Sequence, residues 1–257
     1  MLTGRGAVVT GGGRGIGAAV AGALAEAGAR VVVAARSTAE IEAVAAGLVA
    51  RGFDVQALAC DVTDPAAVER LAAEAGRRLG RVDLLVNNAG VSASAPVKSQ
   101  TLEEWRRLFA VNVEGLFLVT RAFLPAMAER GWGRVVNIAS IAGRTGAPYI
   151  AAYAATKHAV VGFTRSCAAE VAGRGVTVNA LCPGYVDTPM TDRSVARIVD
   201  KTGRSAAETR SRIVAANPQG RLIEPEEVAF LAVALCDERA RGVNGQAIGI
   251  DGGAFLG

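Results

Sequence analysis

Tyr153 and Lys157 stand four residues apart in AAYAATKHAVVG (151–162), a run otherwise built almost wholly of small and apolar residues. The 257-residue chain has three tyrosines and three lysines. Chance would place a Tyr-x-x-x-Lys somewhere in it with a probability of only roughly 4%. On a helix, residues four apart share a face, so this spacing sets an ammonium beneath a phenol. A free phenol titrates near pH 10, and moving it about three units towards neutrality requires roughly 4 kcal/mol. One charge about 4 Å away at an effective dielectric near 20 supplies a similar amount. The pair therefore reads as a proton donor and acceptor tuned by its lysine, suited to general acid–base chemistry near neutral pH.

A second constellation is TGGGRGIG (10–17), which follows a short apolar run directly. The G-x-G-x-x-G fingerprint fits in no frame; Gly11-x-x-x-Gly15-x-Gly17 does. The demands are the same: a tight strand-to-helix turn, backbone close enough to touch a pyrophosphate, and helix amides facing its charge. A glycine-rich turn without a ligand is the plainer alternative. The next apolar run ends in Ala35 and Arg36, with no Asp or Glu to grip a ribose 2′-hydroxyl. Arg36, with Arg14 from the turn, would clamp a 2′-phosphate that a carboxylate would repel. NADP(H) is thus preferred, while an arginine stacked on adenine leaves NAD(H) open.

The elements that must position these residues follow from a regular alternation. Predicted strands at 6–10, 30–35, 55–60, 82–88, 134–140, 176–182 and 246–251 are short, apolar and β-branched, and alanine-rich helical stretches separate them. Continuously apolar strands between helices imply a parallel sheet covered on both faces. Ser37 with Glu40 and Thr101 with Glu104 have the pattern of capping boxes, and Asp64 before Pro65 that of an N-cap followed by a first-turn proline. Gly28, Gly52 and Gly175 stand where helix C-caps want glycine. The predicted fold is α/β: one doubly wound, seven-stranded parallel sheet with about six helices in a single domain over 1–257. The polar segment 188–216 breaks the rhythm, and reads either as a mobile lid beside a strand's carboxyl end or as a solvated helical insertion.

TGGGRGIG, NNAG (87–90), NIAS ending at Ser140, YAATK (153–157) and CPGYVDTPM (182–190) resemble, in order and spacing, the short-chain dehydrogenase/reductase family. The similarity runs on to IDGG (250–253) and so covers essentially the whole chain. The resemblance implies Tyr153 as general acid and base, Lys157 as its helper and Ser140 as the hydroxyl that orients the carbonyl. Asn112 would be the fourth member, propping open its helix and holding a water. For the cofactor it implies Gly11, Arg14, Gly15, Ile16 and Gly17 at the pyrophosphate and Arg36 at the adenosine ribose. Asp61 and Val62 would lie near adenine, although an Asp at a strand end is as often a turn or cap. Asn88, Ala89 and Gly90 would line the ribose side, with Tyr153 and Lys157 beside the nicotinamide. Pro183, Gly184, Val186 and Thr188 would embrace its carboxamide. Asn87 has the alternative of stabilising the sheet alone, and the lone His158 reads as a packing residue. In the reductive direction a ketone would accept hydride from the nicotinamide while Tyr153 protonates the developing alkoxide.

The family's substrate pocket would here be formed by Val91, Ala93, Ala142, Pro148, Tyr149, Tyr185 and Met190, a mostly apolar set with no evident buried acid or base. That favours a ketone or secondary alcohol on a hydrophobic or acyl body. Arg193, Arg197, Lys201 and Arg204 would either meet phosphates of a coenzyme A or acyl-carrier thioester or form a solvated face. The overall look resembles bacterial 3-oxoacyl reductases, polyketide ketoreductases and 3-hydroxybutyrate-type dehydrogenases. Three readings follow: an NADPH-dependent ketoreductase, an NAD-dependent alcohol dehydrogenase, and a nucleotide sensor without chemistry. Composition narrows the rest. The +4 charge comes from scattered residues, 25 of the 28 basic ones arginine, without the density of a nucleic-acid or membrane patch. The four cysteines have no metal or redox spacing and read as buried thiols in a reducing compartment. No uninterrupted apolar run reaches about 18 residues. A soluble, cytoplasmic homotetramer without a metal is the expectation.

Overall fold

Both faces of the predicted strands must be covered for such apolar runs to be stable, and the computed structural model, which describes residues 2–255, shows how. β1 (Gly6–Thr10), β2 (Arg30–Ala35), β3 (Val55–Ala59), β4 (Leu84–Asn87), β5 (Gly133–Ile138), β6 (Val176–Pro183) and β7 (Ala247–Ile250) form one parallel sheet in the order β3-β2-β1-β4-β5-β6-β7. Successive strand residues face opposite ways. Ala7 and Val9 of β1 therefore enter one apolar cluster with Leu24, Ile41 and Val228, whereas Val8 enters another with Leu71, Leu85 and Phe123. From β1 the chain winds outward to β3, then returns to lay β4 on β1's other side. The order reverses there, which opens a crevice at the carboxyl ends of β1 and β4.

Nine α-helices, rather than about six, cover the sheet among the described residues. They are α1 (Gly15–Glu26), α2 (Thr38–Val49), α3 (Pro65–Leu79), α4 (Leu102–Phe109), α5 (Gly115–Glu129), α6 (Ala151–Val171), α7 (Pro189–Thr202), α8 (Ala206–Ala215) and α9 (Pro225–Cys236). The six crossovers are as expected, but two of them carry extra helices. α4 and α5 are joined by a π-helical turn at Ala110–Glu114, and the polar 188–216 segment folds into α7 and α8. The resulting Leu102–Glu129 helix is long and apolar enough to cross a membrane by composition, a length the uninterrupted apolar runs of the sequence do not reach. Its α5 part buries Leu116, Val119, Phe123 and Met127 against the sheet.

Local signals are met unevenly. Asp64 accepts from Ala66 N at 2.9 Å with Pro65 opening α3, and Thr101 accepts from Glu104 N at 3.1 Å. The Glu104 carboxylate, however, turns to Arg107, so only half of that box forms. The box expected at Ser37 and Glu40 does not form: Ser37 makes no cap bond, and Glu40 reaches Arg14 at 2.6 Å instead. A contact between two full charges outcompetes the same carboxylate's bond to the uncharged Ser37 amide. Gly28, Gly52 and Gly175 do adopt φ of 95°, 89° and 66°. All four cysteines are buried free thiols.

Candidate active site

The glycine turn is fixed from below. Gly11 and Gly15 hold φ of 64° and 52°, where a side chain would be strained. A Cβ on Gly17 would sit 2.2 Å from Gly11 O and 2.4 Å from Asn88 Nδ2. Asn88 spans the turn, donating to Thr10 O (3.1 Å) and Gly11 O (3.0 Å). Thr10 Oγ1 accepts from the amides of Asn88 (3.1 Å) and Ala89 (3.2 Å), locking the β1 and β4 ends together. At the start of α1, Arg14 is an N-cap without a side-chain cap bond, and no acid stands in the first turn. The α1 amides and dipole therefore face the crevice uncapped, a ready anion site. Gly15 must also be small because α1 begins against the start of α7, where a Cβ on it would touch Thr188 Cγ2 at 3.0 Å.

The second half of the site lies where β5, β6 and α6 meet. Ser140, just past β5, accepts from Ala142 N (3.2 Å) and keeps its own proton loosely on Pro183 O (3.4 Å). Tyr153 and Lys157 share one face of α6, as spaced. Lys157 is buried, and its Nζ donates to Ile138 O at 2.9 Å, 5.8 Å from the Tyr153 ring centroid. Burial lowers the Lys157 pKa to about 8. Burial likewise pushes Tyr153 up to about 12; an interaction with Ser140 offsets part of this and Tyr185 adds to it. The expectation that the lysine alone brings the phenol towards neutrality is thus corrected. Desolvation of the phenol outweighs what the ammonium, itself held by a backbone carbonyl, offers it.

Asn112 is buried in the π-helical turn with every amide hydrogen used. Its Nδ2 donates to Val91 O (2.9 Å) and Thr156 Oγ1 (3.0 Å), and its Oδ1 accepts from Val91 N (2.8 Å). It clamps the segment after β4 to α6, one residue from Lys157. Asn87 takes the sheet-stabilising role: its Nδ2 donates to Thr120 Oγ1 and Asn137 Oδ1, both at 2.9 Å and buried. His158 is exposed, its Nδ1 2.9 Å from Ala154 O, so it is not the packing residue expected.

Two contiguous cavities collect the predicted residues. Gly11, Arg14, Gly15, Ile16 and Arg36 line the first, of about 250 Å³, with Asp61 and Val62 across from them. Asn88, Ala89, Gly90 and Thr188 close its inner end. Asp61 also makes the turn, accepting from Thr63 N (3.0 Å) and Oγ1 (2.8 Å). Ser140, Tyr153, Lys157, Pro183, Gly184 and Val186 line the second, of about 260 Å³, which shares Asn88, Gly90 and Thr188 with the first. Gly17 and Asn112 line neither and act from behind. Val91, Ala93, Ala142, Tyr185 and Met190 also face the second cavity. Pro148 and Tyr149 do not: Tyr149 is 65% exposed with φ 69°. Thr10 and Thr156, which fix Asn88 and Asn112, carry no sequence signal. Of the four lid cations read from the sequence as carrier-phosphate contacts or a solvated face, Arg197 alone lines the second cavity.

The family model for short chain dehydrogenase matches residues 5–198. The chain belongs to that family. It is 38% identical over 260 residues to a 3-oxoacyl-[acyl-carrier-protein] reductase of Synechocystis, covering 99% of this chain and 98% of that one. It is 37% identical over 254 residues to a D-β-hydroxybutyrate dehydrogenase of Cupriavidus necator, covering 98% of both. Among solved structures, a variant actinorhodin polyketide ketoreductase with NADPH superposes with a TM-score of 0.95 at 39% identity over 99% of each chain. Membership in a family of dehydrogenases makes this chain an oxidoreductase. The protonated Tyr153 phenol and the Ser140 hydroxyl share one cavity, where both can donate to one oxygen atom.

Proposed function

We propose that this short chain dehydrogenase is an NADPH-dependent ketoreductase that converts a ketone on an oxoacyl body to a secondary alcohol. The observation that carries the reading is the continuity of the two cavities. The uncapped α1 amides, Arg14 and Arg36 suit a phosphorylated dinucleotide, and Ser140, Tyr153 and Lys157 await a carbonyl at its inner end. Gly90 supports the fit, because a Cβ there would fill space within 3.8 Å of Lys157 Nζ.

NADPH, when bound, supplies the hydride. The chain's own residues do the rest. Ser140 Oγ–H orients the carbonyl oxygen and stabilises charge as it forms there. Tyr153, kept protonated by its buried setting, donates the proton that turns this oxygen into the alcohol. Lys157 then faces the phenolate left behind. Asn112 keeps α6 and the segment after β4 in register. Initial rates with NADPH and NADH over a panel of ketones test the reading, with Tyr153→Phe expected to abolish turnover and spare nucleotide binding. Nucleotide binding without turnover of any carbonyl by the natural chain would leave the sensor reading instead.

One observation favours an NAD-dependent alternative: Glu40 already engages Arg14 at 2.6 Å inside the nucleotide cavity. Arg36→Asp separates the two, since it abolishes NADPH binding under the first reading and leaves NAD affinity intact under the second. Exposed Leu102, Trp105 and Phe117 on the 102–129 helix and Phe230 on α9 support assembly with further copies, for which a tetramer is the proposal, as the cytoplasm is for its compartment. Light scattering of the purified protein tests the assembly.

A further inference from the structure

Met190, Thr191, Ser194, Arg197 and Ile198 recur at intervals of three and four along α7, so they form one stripe, and that stripe lines the substrate cavity. Thr191 and Ser194 spend their hydroxyl protons on α7's own neighbourhood, bonding Val186 O and Met190 O. Arg197 is different. Its Nη1 makes one long hydrogen bond, 3.3 Å to Ser92 O, and among the described residues no carboxylate lies within ion-pair distance of it. Glu104, the acid whose charge Arg197 influences, is gripped by both arms of Arg107 at 2.8 and 2.9 Å. Of the neighbouring cations, Arg193 lines the nucleotide cavity and the others are engaged elsewhere. Arg210 bridges Asp187 and Asp192, Arg204 and Arg212 face Glu208, and Lys201 donates to Ser94 O at 2.8 Å. Arg197 thus leaves a fork of unfilled donors at the wall of a cavity whose remaining lining is largely neutral. A partly buried charge of this kind is costly unless an anion meets it.

We infer that Arg197 binds a carboxylate carried by the substrate itself, so that the ketoreductase proposed above, on which this inference rests, works on a keto acid rather than on its thioester. Arg197 and the Ser140–Tyr153 pair line one cavity of about 260 Å³, which also receives the nicotinamide end of the cofactor and so suits a short oxo acid. The phosphate of a pantetheine arm lies many bonds further from its thioester carbonyl than such a cavity accommodates. A planar guanidinium also matches the two oxygens of a carboxylate. The cavity is mostly apolar, as the sequence leads one to expect, and Arg197 and Lys157 are its charged members.

Arg197→Gln tests this, because glutamine still donates to Ser92 O while the charge is gone. Initial rates with NADPH are compared for 3-oxobutanoate, 3-oxopentanoate and 3-oxohexanoate against their methyl esters. The natural chain is expected to prefer the acids. In the variant kcat/KM for the acids falls about 10- to 100-fold, mainly through KM, as for a lost charge-assisted bond, so that the acid-to-ester ratio collapses. A binding readout stands beside the rates: with NADP present, propionate but not propionamide raises the melting temperature of the natural chain, and this effect is absent in the variant. A natural chain that prefers esters, or a variant that loses acids and esters equally, overturns the inference. Absence of turnover with acids and esters alike, despite nucleotide binding, overturns the ketoreductase reading instead. The propionate shift then decides the role of Arg197 by itself.

Discussion

Replacing Lys157 by methionine separates the cost of burying its charge from the use made of it. Burial lowers the lysine from an ordinary 10.5 to about 8. That displacement corresponds to about 3 kcal/mol held against the folded state. Below pH 8 the lysine is charged in both the folded and the unfolded chain, and this penalty is fully present. Between pH 8 and 10.5 the unfolded chain binds more protons than the folded one, so the natural protein gains stability from this group as pH rises. Above 10.5 the penalty is gone. Methionine never has it, but leaves Ile138 O without its 2.9 Å partner, a loss of about 1–3 kcal/mol at every pH. The stability of Lys157→Met relative to the natural chain should therefore be most favourable near pH 7.5 and fall by up to about 3 kcal/mol by pH 10.5. Urea denaturation with a reductant at several pH values measures it. Cys60, raised to about 11 by burial with no part from Lys157, titrates alike in both proteins and cancels in the difference, whereas the Cys182 thiol, which the Lys157 charge lowers, is replaced by alanine in both. A difference that stays flat across this range would refute the buried-charge argument.

Glu40→Gln frees Arg14 from an ion pair that is about half exposed. Exposed pairs are worth about 0.2–1 kcal/mol, so NADPH affinity should rise by up to about fivefold in a fluorescence titration while NADH affinity stays level. A fall in NADPH affinity would make Glu40 a positioning group for Arg14. Gly17→Ala drives a methyl into Gly11 O and Asn88; overpacking of this kind costs about 1–3 kcal/mol and should lower both melting temperature and nucleotide affinity. Asn112→Ala strands Val91 N and O and loses the bond to Thr156. A destabilisation of about 1–3 kcal/mol, with turnover lost more steeply than nucleotide binding, is expected. Calorimetry and titration together check both variants.

Much of the architecture was legible because it rests on local rules. Continuously apolar, β-branched runs between helices admit only a doubly covered parallel sheet, and six of the seven predicted strands start within one residue of the observed ones. The strand predicted over 82–88 begins instead at Leu84. The extra helices escaped because α4 and α5 run through a π-helical turn around Asn112. Polarity also concealed that α7 and α8 pack around Val195, Ile213 and Leu222.

The chemistry divides along the same line. The sequence by itself determined which groups exist and which share a face: a phenol and an ammonium one helical turn apart, glycines where a turn must pass close to a dinucleotide, and arginines in place of an acid after β2. Only the tertiary structure decided their electrostatics. It buried both groups, with the Lys157 ammonium over the Tyr153 ring but bonded to Ile138 O, and that burial pushes Tyr153 up to about 12. It drew Glu40 from its helix cap to Arg14, and left Arg197 at the cavity wall without a counter-ion among the described residues. Spacing along a chain sets neighbours on one element, whereas desolvation and ion pairing depend on what the other elements bring against it.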